Sequence, residues 1–238
     1  RCPARRNERI RDLARQWYQA QITCPGIDAI GAFFMGTPGI YLGHTRRTAW
    51  GVTNHTASAR DLYVETVSEA DPTLYGEDGR WLQFAVEHHE IPVRGQAADP
   101  LEIRKTVRGP VLSAFVPAVD DRPQPVLSLR WEGAEATTGF ESMLALMRSQ
   151  SADDVLDALR TWPFPILNVL YADAEGHIGY RAVGRVPKQQ AAPCGFKRAD
   201  DPDHRWTEMY SFDEMPQLID PERDWLASAN NPPWGGWG

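Results

Sequence analysis

Cysteine is scarce in this chain: Cys2, Cys24 and Cys194 are the only three among 238 residues. So few and so scattered, they exclude a disulfide framework and a zinc site and leave room for a single bridge. No apolar run is long enough to span a bilayer, and no charged stretch followed by an apolar one opens the chain as a signal peptide would. The G-x-S-x-G elbow, the P-loop, the H-E-x-x-H helix and the C-x-x-C pair are all missing. Positive charge is in deficit as well. A net charge of −7 argues against a nucleic-acid partner. The arginines that do exist crowd one end, at Arg1, Arg5, Arg6, Arg9, Arg11 and Arg15, and read as a solvated or frayed segment.

What is present suits a globular domain. The composition is 42% hydrophobic and 24% charged, with 9 Trp, 19 Gly and 19 Pro, enough to bury a substantial core and to punctuate it with many turns. Residues 7–21 place Ile10, Leu13, Trp17 and Ala20 at spacings of three and four, which predicts helix or irregular chain there. Strand signals follow at 27–34, 39–44, 48–55 and 61–67, then a turn at 76–81. A hairpin is expected from 87–94 and 101–109, and another strand at 125–131. The period changes over 139–162, where Met143, Leu144, Met147, Val155, Leu156 and Leu159 fall at helical spacing. Ser151 is placed to cap the second helix, with Asp153 and Asp154 in its first turn. Strands are expected again at 166–173 and 176–184, loop over 187–224, and a last short strand at 225–230. Strands, a helical pair and more strands point to an α+β layered domain rather than a parallel doubly wound one.

Residue chemistry alone names no reaction. "EHHE" at 87–90 puts His88 and His89 on opposite sides of a strand, so a polar edge strand explains them better than a metal site. His44 and His55 flank "TAWGVTN" and read as hydrogen-bonded or pH-sensitive side chains. Carboxylates such as Asp61, Glu65, Asp153, Asp154 and Asp173 form no spacing that identifies an acid–base pair. Gly51, directly after Trp50, reads as a bulge or as part of a strand whose backbone lies against a ligand.

Taken in order, several segments do form a pattern. "GTPGIYLGHTRRTAWGVTN" (36–54), "ARDLYVE" (59–65), "RKTVRGPVLS" (104–113), "LNVLYADAEGHIGYRAVGRVP" (167–187) and "WLASANN" (225–231) resemble, in sequence and spacing, the β subunit of the penicillin acylase family of N-terminal nucleophile hydrolases. The resemblance implies an αββα four-layer sandwich, here incomplete. It also implies hydrolysis of linear amides of the penicillin, cephalosporin or acyl-homoserine-lactone type. The family's nucleophile is an N-terminal Ser whose own α-amine is the base, which makes a His-based triad unnecessary.

By that resemblance the backbone N–H of Asn54 and the side-chain amide of Asn230 form the oxyanion hole. Leu42 and Leu167 line the acyl pocket. Asp61 matches a structural calcium ligand, with Ser58 where a second carboxylate is common; no cofactor is implied for catalysis. Glu8 aligns loosely with a polar residue near the nucleophile. The implied partners are an α subunit from the same precursor and a small N-acyl substrate, with no membrane span, in the periplasm or outside the cell. The chain departs from the family pattern before Ile27. "RCPARRNERIR" offers no N-terminal Ser, and the residues after Cys2 do not suit a nucleophile. The expectation is that residues 1–238 are part of one β-subunit domain, without its nucleophile strand or its C-terminal remainder, and that the nucleophile lies upstream. The alternative is a non-catalytic α+β binding or scaffold module that kept the fold.

Overall fold

The computed structural model describes residues 17–115, 124–135, 139–188 and 195–232. The arginine cluster, Cys2, Glu8 and Cys194 lie outside the described residues; Cys24 is a free, exposed thiol. Among the described residues fifteen strands run in chain order: β1 (Trp17–Cys24), β2 (Ile27–Phe34), β3 (Leu42–His44), β4 (Thr48–Asn54), β5 (Arg60–Val64), β6 (Leu74–Glu77), β7 (Arg80–Gln83), β8 (Ala85–Ile91), β9 (Asp99–Thr106), β10 (Gly109–Pro110), β11 (Leu127–Trp131), β12 (Leu167–Asp173), β13 (Ile178–Val183), β14 (Lys197–Arg198) and β15 (Gln217–Ile219). Between β11 and β12 lie two helices, α1 (Gly139–Leu146) and α2 (Ala152–Leu159). The protein is sheet-rich α+β, and it divides into two compact units. None of the described helices is long and apolar enough to cross a membrane.

The first unit, Arg1–Ala57, Glu135–Val186 and Tyr210–Gly238, is built on a seven-stranded sheet in the order β1-β2-β3-β4-β12-β13-β15. Every pair in it is antiparallel. Alternation along β4 sends Thr48 and Trp50 inward and Ala49 and Gly51 out to solvent, as a strand with one buried face requires. The inward face packs on the two helices: Trp50, Leu167, Val169, Tyr171 and Val183 join Met143, Leu146, Met147, Val155, Leu159 and Trp162 in one core. Ser151 caps α2 as the sequence predicts, its side chain accepting from the Asp154 N–H at 3.1 Å. The Asp173 carboxylate accepts from the Ala152 N–H at 3.0 Å, which fixes the start of α2 to the end of β12. Where β2 and β3 cross, Gly31 pairs with Gly43. A Cβ on Gly31 would stand 2.2 Å from the Leu42 carbonyl oxygen, so any larger residue would force the two strands apart.

β1 corrects the helix or irregular chain expected over residues 7–21 for its described part. All eight of its residues pair with β2, from Trp17 opposite Phe34 to Cys24 opposite Ile27. The connection is Pro25-Gly26, with Gly26 at φ +81. That is the Pro-then-Gly chemistry of a type II turn. Cross-strand pairing, supported by the Trp17–Phe34 ring contact at 3.9 Å, outweighs a local helical period of four residues. A second correction concerns residues 225–230, which form no strand. The last strand among the described residues is β15, inside the stretch expected to be loop, and its three exposed residues pair with β13 at the sheet edge.

The second unit, Ser58–Ala134 and Pro187–Met209, holds two three-stranded sheets, β10-β9-β8 and β11-β5-β14, and the β6-β7 pair. The turn expected at 76–81 is the tip of the β6-β7 hairpin, with Asp78 and Gly79 both at positive φ between Glu77 and Arg80, the pattern of a two-residue hairpin loop. The expected hairpin of 87–94 and 101–109 is β8 and β9. His88 and His89 lie on β8, which is exposed throughout and forms the edge of its sheet. At the centre of this unit Glu65 accepts from Arg108 Nε at 2.9 Å and Nη2 at 2.6 Å. It also accepts from the hydroxyls of Thr106 and Ser128.

Candidate active site

The sequence puts the two expected oxyanion residues 176 positions apart, and the fold of the first unit brings them into contact. Asn54 is the last residue of β4 and stands opposite Leu167 in the β4–β12 register. Asn230 lies in the loop that follows β15 in the chain, with its backbone at φ +63. Asparagine tolerates that left-handed conformation better than most side chains. The Asn230 side-chain amide donates to the Asn54 carbonyl at 3.0 Å. An amide nitrogen carries two hydrogens, and the contact with the end of β4 uses one of them.

This loop has no ladder of its own; side chains hold it. Ser228 Oγ and Thr53 Oγ1 are 2.6 Å apart. The Asn168 amide nitrogen donates to the Asn231 carbonyl at 3.1 Å and lies 3.4 Å from Thr53 Oγ1. Tyr180 donates its hydroxyl to Asn168 Oδ1 at 2.7 Å. Asn168 is 1% exposed. The sequence pattern assigns it no role, although it lies within the "LNVLYAD" motif. An asparagine among strand-forming apolar residues is the signal: a buried amide needs partners.

His55 follows Asn54 and is buried. Its Nδ1 accepts from the Ala57 N–H at 3.2 Å, so the ring proton belongs on Nε2, which has no hydrogen-bond partner of standard geometry. Burial pushes the ring down to about 4, and the Val183 backbone opposes that shift only in part. The unfolded chain therefore binds a proton near the ordinary value of about 6.5 that the folded protein refuses until about pH 4. Stability from His55 is full above pH 6.5 and is lost as the pH falls towards 4, by about 3 kcal/mol in all. Urea unfolding at pH 7 and pH 4.5 should show that slope in the native chain and a flatter one in His55→Gln. Equal slopes would mean that His55 is not the group responsible. His44, by contrast, is exposed, with its Nδ1 2.8 Å from the Thr45 carbonyl.

The two expected pocket leucines are placed differently. Leu167 is 1% exposed within the core of the first unit. Leu42, on β3, is half-buried against the same core. It lines an open depression of about 420 Å³ together with Gln19, Gln21, Ile30, Ala32 and His44, a cavity to which Leu167 does not contribute. Gly51 is no bulge: it pairs in unbroken register with Leu170. A Cβ on it would meet nothing within 4 Å, so this part of the outer sheet face is open.

In the second unit, Asp61 is buried, and its carboxylate accepts from the Trp206 indole N–H at 2.7 Å and from Ser58 Oγ at 3.2 Å. An indole nitrogen can only donate. The indole and the Ser58 hydroxyl thus both donate to the Asp61 carboxylate. Among the described residues no group of three or more His, Cys, Asp or Glu is placed to hold a metal ion.

Comparison with known proteins settles the family. The model of the penicillin amidase family matches residues 12–237. This chain belongs to that family. It is 28% identical over 229 residues to the acyl-homoserine lactone acylase QuiP of Pseudomonas aeruginosa, an alignment that covers 90% of this chain and 26% of that protein. It is 27% identical to the penicillin acylase 2 proenzyme of Pseudomonas sp. strain SE83, covering 94% of this chain and 28% of the other. Identity to the penicillin G acylase of Escherichia coli is 26%, over 87% of this chain and 24% of that one. A solved structure of the thermostable penicillin G acylase from Alcaligenes faecalis shares the fold. Its TM-score is 0.79 at 24% identity, and the match covers 94% of this chain and 40% of that chain. Each of these curated relatives is matched over 24% to 28% of its own length. The penicillin amidase match includes both Asn54 and Asn230.

Proposed function

We propose that this chain carries the oxyanion-binding part of an amide hydrolase. Its substrates are linear N-acyl amides of the penicillin, cephalosporin or acyl-homoserine-lactone kind, and an N-terminal Ser upstream of residue 1 in the gene product is the nucleophile. The observation that carries this reading is the Asn230 amide on the Asn54 carbonyl at 3.0 Å, in a member of the penicillin amidase family. The names of the relatives, acyl-homoserine lactone acylase and penicillin acylase, supply the substrate classes.

In this mechanism the serine Oγ attacks the substrate carbonyl while its own α-amine takes the hydroxyl proton. The carbonyl π pair moves onto oxygen, and that oxyanion is met by the Asn54 N–H and the second hydrogen of the Asn230 amide. Collapse expels the amine, which takes the proton back, and leaves an acyl ester on the serine. Water cleaves the ester by the same sequence in reverse roles. Leu42, which lines the open depression on the sheet, belongs to the acyl side of the site, completed by an α subunit cut from the same precursor in the periplasm or outside the cell. The outer sheet face, where Gln19, Ile30, Ala49 and Gly51 are exposed, is the surface on which a second sheet would stack in an αββα sandwich.

The test uses penicillin G and an N-octanoyl-homoserine lactone as probes. The gene product that includes the upstream serine should release the free acid from at least one of them, and acetylating its new α-amine should stop turnover. The 238-residue chain alone should turn over neither. Hydrolysis by the chain alone, abolished by blocking Arg1, would overturn the placement of the nucleophile. Binding of either probe without hydrolysis by the longer product would favour a binding module.

A further inference from the structure

The Asn230 loop is exposed, carries no strand and must nonetheless hold an amide within a few tenths of an ångström if it is to meet an oxyanion. Among the described residues, three hydrogen bonds tie residues 228–231 to the sheet: Ser228 to Thr53, Asn230 to Asn54 and Asn231 to Asn168. Only the last reaches a side chain buried in the interior. Thr53 and Asn168 are direct partners in the β4–β12 register. One buried amide therefore touches both the strand that ends at Asn54 and the loop that carries Asn230.

The direction of that amide is fixed by chemistry. The Asn231 carbonyl can only accept, so the Asn168 nitrogen must face it. The oxygen is then turned towards Tyr180, whose hydroxyl donates to it at 2.7 Å. Burial pushes the Tyr180 hydroxyl up to about 12, so it keeps its proton and remains a donor across the working pH range. Tyr180 lies on β13, next to β12 in the sheet and outside the loop. The chain of contacts runs from a rigid central strand pair to the tip of an irregular segment.

We propose that Asn168, oriented by Tyr180, is a positioning residue that holds the 228–231 loop, and with it the Asn230 amide, in register with the end of β4. Its catalytic consequence rests on the function proposed above; its effect on the loop does not. Asn168→Asp is the sharpest probe. It keeps an oxygen for Tyr180 and the size of the side chain, and it sets an oxygen against the Asn231 carbonyl in place of the N–H donor. Tyr180→Phe removes only the group that orients the amide.

The experiment has two readouts. Backbone ¹⁵N relaxation on the 238-residue chain should show order parameters at Asn230 and Asn231 near those of the sheet, about 0.85, falling below about 0.6 in Asn168→Asp while Val169 and Arg181 stay rigid. In the longer gene product, Asn168→Asp should lower kcat at least tenfold with KM changed less than threefold, and Tyr180→Phe should do the same to a smaller degree. Should Asn168→Asp prove too unstable to study, Asn168→Ser, whose hydroxyl is too short to bridge Tyr180 and the Asn231 carbonyl, carries the same expectations. Unchanged order parameters at Asn230 and Asn231 in a folded Asn168 variant would overturn the proposal. A mobile loop with unchanged kcat would overturn its catalytic part. If Asn230→Ala hydrolysed amides at the native rate, the oxyanion assignment would fail, and the relaxation data would still decide whether Asn168 holds the loop.

Discussion

Asn230→Ala in the longer gene product is expected to lower kcat by about 10²–10³-fold, the loss of roughly 3–4 kcal/mol that follows removal of one oxyanion donor. KM should move little, because the donor matters to the charge that develops in the transition state and not to the ground-state carbonyl. The fold should survive. Asn230 is exposed, and its single bond to the Asn54 carbonyl is a surface contact whose loss costs about 1 kcal/mol. Backbone strain needs a separate control, since Asn230 sits at φ +63 and alanine there costs about 1–2 kcal/mol. Asn230→Gly relieves that strain and still lacks the amide. If both variants lose kcat alike while only Ala loses stability, the amide is the cause. If Gly recovers the native rate, the loop conformation matters and the donor does not, and the oxyanion assignment falls. Steady-state kinetics beside urea unfolding separates these outcomes.

How much of this was legible in the sequence depends on what kind of interaction specifies each element. The strand at Ile27–Phe34, the Ser151 cap and the β8-β9 hairpin are written locally, in turn residues, alternation and a hydroxyl before two acids, and the structure places them where those signals point. β1 departs from its local spacing for the opposite reason. Trp17 and Ala20 fit a helical spacing, yet "CPGI" immediately after them is a turn signal strong enough to fold Trp17–Cys24 back along β2. The Pro-Gly pair outweighs a period of so few residues.

The site divides along the same line. Asn54 and Asn230 were visible only through resemblance to a family, since an asparagine closing a segment is ordinarily a turn former. Their meeting is a product of sheet order: β4 lies beside β12, and side chains from both strands capture a segment far along the chain. The strand expected at 225–230 failed because Asn230 turns left-handed, and the loop satisfies itself on Thr53, Asn54 and Asn168 instead of a ladder. Asn168 itself was hidden because its partners, Tyr180 and the Asn231 carbonyl, are 12 and 63 residues away. No local pattern announces such a bracket. A polar residue in the middle of an otherwise apolar strand is the only trace it leaves.

The largest expected loss of stability lies in the second unit, at Arg108. Its guanidinium lies between Glu65, which it meets twice, and Glu77, at 2.5 Å. Burial works against its charge, and the hydrogen bonds and charges of the two carboxylates outweigh it, so its pKa goes up. The Glu65 side chain is 0% exposed, and Arg108 is the only cation that meets it in an ion pair among the described residues. Arg108→Met would fill much of the same space and leave that carboxylate with hydroxyl donors alone. Stranding one member of a buried pair costs about 3–5 kcal/mol, which urea unfolding of the variant should show as a lower midpoint at nearly constant slope. Glu65→Gln in the Arg108→Met background removes the stranded charge while keeping an acceptor for Thr106 and Ser128. The double variant should therefore be more stable than Arg108→Met alone, by 1 kcal/mol or more on the usual scale of coupling between touching residues. A double variant no more stable than the single one would mean that Arg108 acts through its packing against Tyr63, over whose ring it lies at 5.5 Å, and not through the charge of Glu65.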